Sequence, residues 1–263
     1  MALEQADIGI APTLWQKTRF PSTYQPKIEV IHDGVDTDAV APDSEAFVQF
    51  PKKELRLTRK DEVITYVSRN LEPYRGFHIF MRALPELMKA RPKAHFIVVG
   101  GNDVSYGSRL PKGTYREKYL AEIEGRYDPS RLHFVGKLPY STFLRVLQVS
   151  TAHIYLTYPF VLSWSMMEAM AAGCLVIGSR TPPVEEVIED GKNGLLVDFF
   201  SADQLINAIN RVCEEPDRMQ AIRDQARRTI TERYDLRKVC LPRQKEIIGN
   251  SGLISLAGER LAV

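Results

Sequence analysis

An excess of charge of either sign is what this sequence most plainly lacks. Its 263 residues carry 35 Lys and Arg against 33 Asp and Glu, a formal net of +2. That balance gives no reason to expect nucleic acid or an anionic membrane as the main partner. Cysteine is scarce: Cys174, Cys213 and Cys240 are far apart, odd in number and form no CxxC pair. A disulfide framework or zinc site is therefore not expected, and a reducing cytosol suits the chain. No segment reaches the ~20 apolar residues of a membrane span. The first residues, MALEQADIGIAPTLWQKTRFP, have no basic run, and Glu4 and Asp7 interrupt any apolar stretch, so they do not read as a signal peptide. The five histidines (His32, His78, His95, His133 and His153) show no metal-ligand spacing such as HExxH. There is no GxGxxG, Walker A, GxSxG or kinase signature, no internal repeat and no low-complexity tract.

What remains is ordinary globular composition, 44% hydrophobic and 26% charged. The length allows one large domain or two small ones with a sizeable core. From Val63 onward, short apolar runs alternate with amphipathic ones. VITYVS (63–68), AHFIVVGG (94–101), RLHFVG (131–136), AHIYLTY (152–158), CLVIGS (174–179) and GLLVDF (194–199) read as strands. Between and after them, helices are predicted over 76–92, 114–127, 141–150, 163–173, 184–190, 201–215 and 216–234, with Ser201 as an N-cap and Pro216 opening the last. This alternation predicts an α/β fold: a Rossmann-like, doubly wound parallel sheet with helices on both faces. Ligands of such sheets bind at the carboxyl ends of the strands. The loops to inspect are 68–76, 100–113, 136–140, 158–163 and 179–183.

Residues 1–62 differ. Prolines recur at 12, 21, 26, 42 and 51, and KKELRLTRKDE (52–62) is a charged approach to the first sheet strand. This part reads as a connector or the edge of a neighbouring domain. ALEQADIGIAP reads like the last helix and strand of something preceding it.

Four stretches carry candidate chemistry. In SRNLEPYRGF (68–77), Arg69 and Arg75 follow a strand and Gly76 leads into a helix. Guanidinium forks and a helix N-terminus suit a diphosphate, although both arginines could equally be solvated loop charges. In VGGND (99–103), Gly101 either lets a ligand approach the backbone or simply makes a tight turn, and Gly136 in FVGKLP is open to the same two readings. In PFVLSWSMMEAMAAGC (159–174), Glu168 stands alone among apolar and small residues. On a helix it shares a face with Trp164, Ser165, Ala171 and Ala172. It could accept hydroxyl donors from a ribose or sugar, or be paired internally to an arginine or a backbone N–H. Met166, Met167 and Met170 read as core packing. Glu185, Glu186, Glu189 and Asp190 resemble paired carboxylates, but on a short helix facing water they read as solvated surface. His95, His133 and His153 fall in strand-like runs, as satisfied core histidines do.

Taken in order, these segments resemble the C-terminal half of a retaining, nucleotide-sugar-dependent glycosyltransferase of family 4 with the GT-B fold. KIEVIHDGVDTD (27–38) resembles the segment that links the two domains of that family. ITYVSRNLEPYRGFHIFMRALPEL, AHFIVVGGN, RLHFVGKLPYSTFLRVLQVSTAHIYLTYP and MMEAMAAGCLVIGSRTPPVEEVIEDGKNGLLVD follow its motifs in the same order and spacing. The resemblance implies that Arg69 and Arg75 hold the donor diphosphate and stabilise it as the leaving group, Arg75 replacing the usual lysine. It implies that Glu168, the second Glu of the E-x7-E motif, binds the ribose. Val161, Leu162 and Ser163 match the backbone near the phosphate and sugar; Gly136 and Lys137 match the loop near the base, and Gly101 is a further donor-binding candidate.

There are departures. Phe160 stands where the first Glu of E-x7-E belongs, FVLS replaces a glycine-rich run, and Ser68 replaces a glycine. They leave the sugar end of the site open to an altered donor or to lost activity. The resemblance further implies a UDP- or GDP-sugar donor and no cofactor or metal. It also implies a cytoplasmic enzyme of cell-envelope polysaccharide synthesis whose full-length form could associate peripherally with a membrane. The implied layout is a connector and remnant of a preceding acceptor-binding domain over 1–50, the nucleotide-sugar-binding domain over 51–234, and a C-terminal helix and tail over 235–263. Without the acceptor domain, nucleotide binding is expected and sugar transfer is not. A catalytically inactive nucleotide-binding or interaction module, and an epimerase or phosphorylase of similar architecture, are the competing readings.

Overall fold

The structure, a computed structural model, describes residues 2–50 and 54–250. The expected tail from 251 and two lysines of the charged approach, Lys52 and Lys53, lie outside the described residues.

The chain opens with a short helix, α1 (Ala2–Gln5), a strand β1 (Gly9–Ala11) and a five-residue helix α2 (Leu14–Thr18) capped by Thr13. β1 pairs in parallel with β2 (Ile28–Val30), making a separate two-stranded sheet. Strands β3 (Phe47–Phe50) and β4 (Leu55–Thr58) then form an antiparallel pair straddling residue 51, where the connector was expected to end. The pair is not a free linker. Ala46, Val48 and Leu57 are buried against Val63, Ile97, Val99 and Val146 of the main body.

The main body is a six-stranded sheet, parallel throughout, built from β5 (Val63–Asn70), β6 (His95–Gly101), β7 (Leu132–Gly136), β8 (Ala152–Tyr155), β9 (Leu175–Ser179) and β10 (Leu195–Val197) in the order β10-β9-β8-β5-β6-β7. Both faces are buried, and the two-residue period of a strand divides each strand's side chains between them. Ile64 and Tyr66 of β5, Phe96 and Val98 of β6, and Leu175 and Ile177 of β9 join one core cluster. Val63, Ile97 and Val99 join a second and Val176 a third, both on the opposite face.

The first face is covered by α3 (Phe77–Ala90), α4 (Tyr115–Glu122) and α8 (Ala202–Glu214). The second is covered by α5 (Tyr140–Gln148), α6 (Trp164–Ala171) and α9 (Pro216–Arg233). α7 (Pro182–Glu185) is one short turn, and α10 (Leu241–Asn250) follows a π turn at Leu236–Cys240. Most elements fall where the hydrophobic period placed them, with shorter ends; β5 runs on to Asn70, and α7 lies over Pro182–Glu185 instead of 184–190. α4 closes at Glu122, five residues before its expected end, although a full Thr114–Glu117 capping box starts it.

One expectation is corrected at α7. The helix ends at Glu185, and two of the four nearby carboxylates, half-buried Glu186 and exposed Asp190, accept structural hydrogen bonds. Glu186 accepts from the backbone N–H of Leu14 at 2.7 Å and of Trp15 at 2.6 Å, at the start of α2. Asp190 accepts from Arg180 and from the Leu196 N–H.

The strand order reverses between β5 and β8. After β5 the chain moves one way through β6 and β7, then returns to β8 on the other side of β5. A crevice opens at the carboxyl ends of two such strands.

Candidate functional site

A pocket of about 570 Å³ occupies that crevice. The end of β5 supplies Val67, Ser68 and Arg69; the end of β8 supplies Tyr155 and Leu156; Phe160 to Ser165 bring in the first turn of α6. Arg75 and Tyr106 complete the wall, and among the described residues no carboxylate lines it. β5 and β6 lose register between Val67 and Asn70, so Ser68 and Arg69 leave the ladder at the pocket's edge.

Arg75 is fixed from several sides. Its Nη1 donates to Thr157 Oγ1 at 2.8 Å and, at 3.4 Å each, to Tyr155 Oη and the Val161 carbonyl. The Tyr66 hydroxyl donates to its backbone carbonyl at 2.7 Å. Gly76 follows with φ +70, and a side chain there would overlap Leu156, so only glycine allows this turn into α3. The guanidinium also lies between two rings, 5.6 Å from the centroid of Tyr106 and 5.4 Å from that of Phe160. Those rings meet edge to face at 4.7 Å. All Arg75's hydrogen-bond partners are neutral oxygens, whereas Arg82, Arg91, Arg131 and Arg180 each hold an acid.

Tyr106 is placed by a buried carboxylate. Glu72 is fully buried, and its Oε2 accepts from the backbone N–H of Ser105 at 2.7 Å and of Tyr106 at 3.0 Å. At the start of α6, Ser163 caps the helix, and its N–H donates to Tyr155 Oη at 2.8 Å. The Trp164 indole, 58% exposed, donates to Asp33 at 2.9 Å across the pocket rim.

Arg69, Arg75, Val161, Leu162 and Ser163 therefore line one cavity, as does Phe160. Glu168 does not line it. It sits one turn further along α6, on the face that Trp164 and Ser165 present to the pocket. Among the described residues neither an arginine nor a backbone N–H pairs with it; the Tyr140 hydroxyl does, at 2.7 Å. Burial pushes the Glu168 carboxyl above the usual carboxylate range, and the Tyr140 hydrogen bond opposes that shift.

Gly136 and Lys137 lie at the end of β7, and Gly101 at the end of β6, outside the pocket. A Cβ on Gly101 would meet Asn70 and, at 2.8 Å, Lys137, so its own neighbours account for the glycine. Nothing lies within 4 Å of a Cβ built on Gly136. Sequence reasoning missed Tyr106, Tyr155, Thr157, Glu72 and Tyr140. Only Tyr140 carried a signal, as the aromatic opening a helix directly after the Gly136 loop. Among the described residues, no group of three His, Cys, Asp or Glu is placed to hold a metal ion, and no helix is long and apolar enough to cross a membrane.

A parallel sheet with its pocket at the β5/β8 reversal defines a doubly wound α/β domain with a ligand crevice at the strand ends. Comparison with known families narrows it: residues 48–229 match the family model "Glycosyl transferases group 1", and residues 1–40 match "Glycosyl transferase family 4 group". The chain belongs to the group 1 glycosyltransferases. Its sequence is 28% identical over 193 residues to D-inositol 3-phosphate glycosyltransferase of Corynebacterium jeikeium, covering 72% of this chain and 44% of that protein. It is 25% identical over 233 residues to the GDP-mannose-dependent alpha-(1-6)-phosphatidylinositol monomannoside mannosyltransferase of Mycolicibacterium smegmatis, covering 82% of this chain and 56% of that one. The chain thus spans about half the length of these curated relatives. In fold it is similar to sucrose-phosphate synthase from Thermosynechococcus elongatus (TM-score 0.78, 20% identity, 95% of this chain and 60% of that one). It is also similar to Anabaena HepE in complex with UDP-glucose (TM-score 0.74, 20% identity, 93% of this chain and 64% of that one).

Proposed function

We propose that this chain binds the nucleotide diphosphate of a UDP- or GDP-sugar, as the donor-binding half of a retaining glycosyltransferase. One observation carries the reading. A partly buried guanidinium, Arg75, is held at the β5/β8 switch point by neutral oxygens alone, beside Arg69 and in a pocket without carboxylates. A cation so placed calls for an anion, and two forks beside a helix N-terminus suit a diphosphate. When the bond from the sugar to the diphosphate breaks, negative charge grows on the departing phosphate, and fixed cations there stabilise it. No metal is needed for that role. Glu168, one turn beyond the pocket, accepts ribose hydroxyls. The donor types follow relatives described as GDP-mannose-dependent and as bound to UDP-glucose.

Transfer needs an acceptor-binding domain docked before this one. Two features support such a neighbour: β1 and β2 form a parallel sheet of only two strands, and Ile8, Ile10 and Leu14 beside them are exposed. We place the protein in the cytoplasm, at work on cell-envelope polysaccharide and peripherally membrane-associated at full length. The free cysteines suit that compartment. Calorimetry with UDP, GDP and ADP tests the central claim. Binding of at least one, abolished in Arg75→Ala, is expected; no binding of any at millimolar concentration overturns it.

Phe160 favours a second reading, a binding module without transferase activity, because it puts a ring where the family resemblance implies a sugar-facing carboxylate. Donor hydrolysis or transfer by the chain together with its acceptor domain separates the two.

A further inference from the structure

The contact between Tyr140 and Glu168 joins two elements that are otherwise remote in sequence. Tyr140 opens α5 just after the end of β7, while Glu168 lies in the second turn of α6, beyond β8. Trp164 and Ser165, on the α6 face that carries Glu168, line the pocket described above. The Tyr140 hydroxyl donates to Glu168 Oε1, yet the residue stays 54% exposed. A tyrosine that is only a core prop buries its ring. Here the polar end is engaged and much of the ring faces solvent, with Phe143 beside it at 6.0 Å. The space next to Gly136, four residues back, is open.

A ribose that sets one hydroxyl on each oxygen of Glu168 takes the one that Tyr140 now holds, and a base attached to it on that side meets the exposed ring. We propose that Tyr140 is a gate on the nucleoside subsite: its hydroxyl holds Glu168 until a nucleoside arrives and yields it to the ribose, after which its ring packs against the nucleobase. This rests on the donor-binding reading above. The hydroxyl and the ring then act in opposite directions, one competing with the nucleoside and the other holding it.

Calorimetry of the described chain with UDP and with inorganic pyrophosphate tests this, using Tyr140→Phe and Tyr140→Ala. Tyr140 is exposed, so neither change empties the core. Tyr140→Phe keeps the ring and frees Glu168, and it should bind UDP at least as tightly as the wild type. Tyr140→Ala should bind UDP about tenfold more weakly, as expected for a lost base–aromatic contact. Both variants should bind pyrophosphate like the wild type. Equal UDP affinity in Tyr140→Ala and the wild type overturns the proposal, as does an equal loss in both variants. If the wild type binds neither UDP nor pyrophosphate, the donor-binding reading itself falls, a result distinct from either of those.

Discussion

The Arg75 guanidinium lies over the Phe160 ring, 5.4 Å from its centroid. Each departs from the family pattern that the sequence resembles, Arg for Lys and Phe for Glu. In the fold the two departures are one contact. Arginine is the cation more often found over an aromatic ring, and a lysine ammonium lacks its planar fork.

Separating the pair should weaken the site. Phe160→Ala removes one of the two rings on Arg75 and is expected to lower UDP affinity about fivefold. Phe160→Glu sets a carboxylate beside the guanidinium, where it competes with the ligand's phosphates, and should lower affinity further. Adding Arg75→Lys to Phe160→Glu should impair binding less than the sum of the two single changes, by about 1 kcal/mol. Titration calorimetry of the four proteins closes the cycle; strict additivity would sink the coupling.

Glu168 should make nucleotide binding pH-dependent. Its carboxyl titrates above the usual range because it is buried, and only the ionised form accepts two hydroxyls without donating. UDP affinity should fall as pH falls through that raised value. Glu168→Gln should remove this dependence and bind about tenfold more weakly at pH 7. The stability sign is opposite. A raised native value favours the neutral carboxyl, so its contribution is full at low pH and is lost as pH rises through the native value. At pH 7, Glu168→Gln should therefore be at least as stable as the wild type in urea.

His153 predicts acid sensitivity. It is fully buried on β8, with Nδ1 3.0 Å from Thr65 Oγ1 and no partner for Nε2, and burial lowers its pKa from 6.5 to about 3. Unfolding exposes an imidazole of ordinary basicity, so the unfolded chain takes up a proton that the native chain refuses. The stability this gives is full above pH 6.5 and is lost as pH falls toward 3. The slope from this one group approaches about 1.4 kcal/mol per pH unit. His153→Asn should flatten the decline between pH 6.5 and 4 in urea titrations; an unchanged slope would assign acid loss to other groups.

Glu186 ties the first residues of the chain to the sheet domain. Glu186→Ala leaves the Leu14 and Trp15 N–H groups without their acceptor and should cost about 1 kcal/mol, as for a lost helix cap. Faster amide exchange at those two residues, with β5 and β6 unchanged, is the expected signature.

The architecture was legible because both faces of the sheet are buried. Runs such as FIVVGG and LVIG are apolar without a break, and helical spacing separates them. The pair β3–β4 was not legible, because Leu55 and Leu57 alternate with Arg56 and Thr58 inside a charged stretch. Arg69, Arg75 and Glu168 could be picked out as unusual side chains next to strands or in apolar helices. Their partners could not. Tyr140 is 28 residues from Glu168, Thr157 is 82 from Arg75, and Glu186 is 172 from Leu14. Such contacts depend on how the elements cross, and no local period records that.

The Tyr66 hydroxyl on the Arg75 carbonyl, together with the three acceptors of its side chain, has a consequence for timing. A free arginine has its freedom taken away each time it grips an anion. Here the order is imposed once, when the chain folds, and is then present for every ligand that arrives. The site meets its anion as a rigid template, so the entropy of arranging this charge belongs to the history of folding and not to the kinetics of capture.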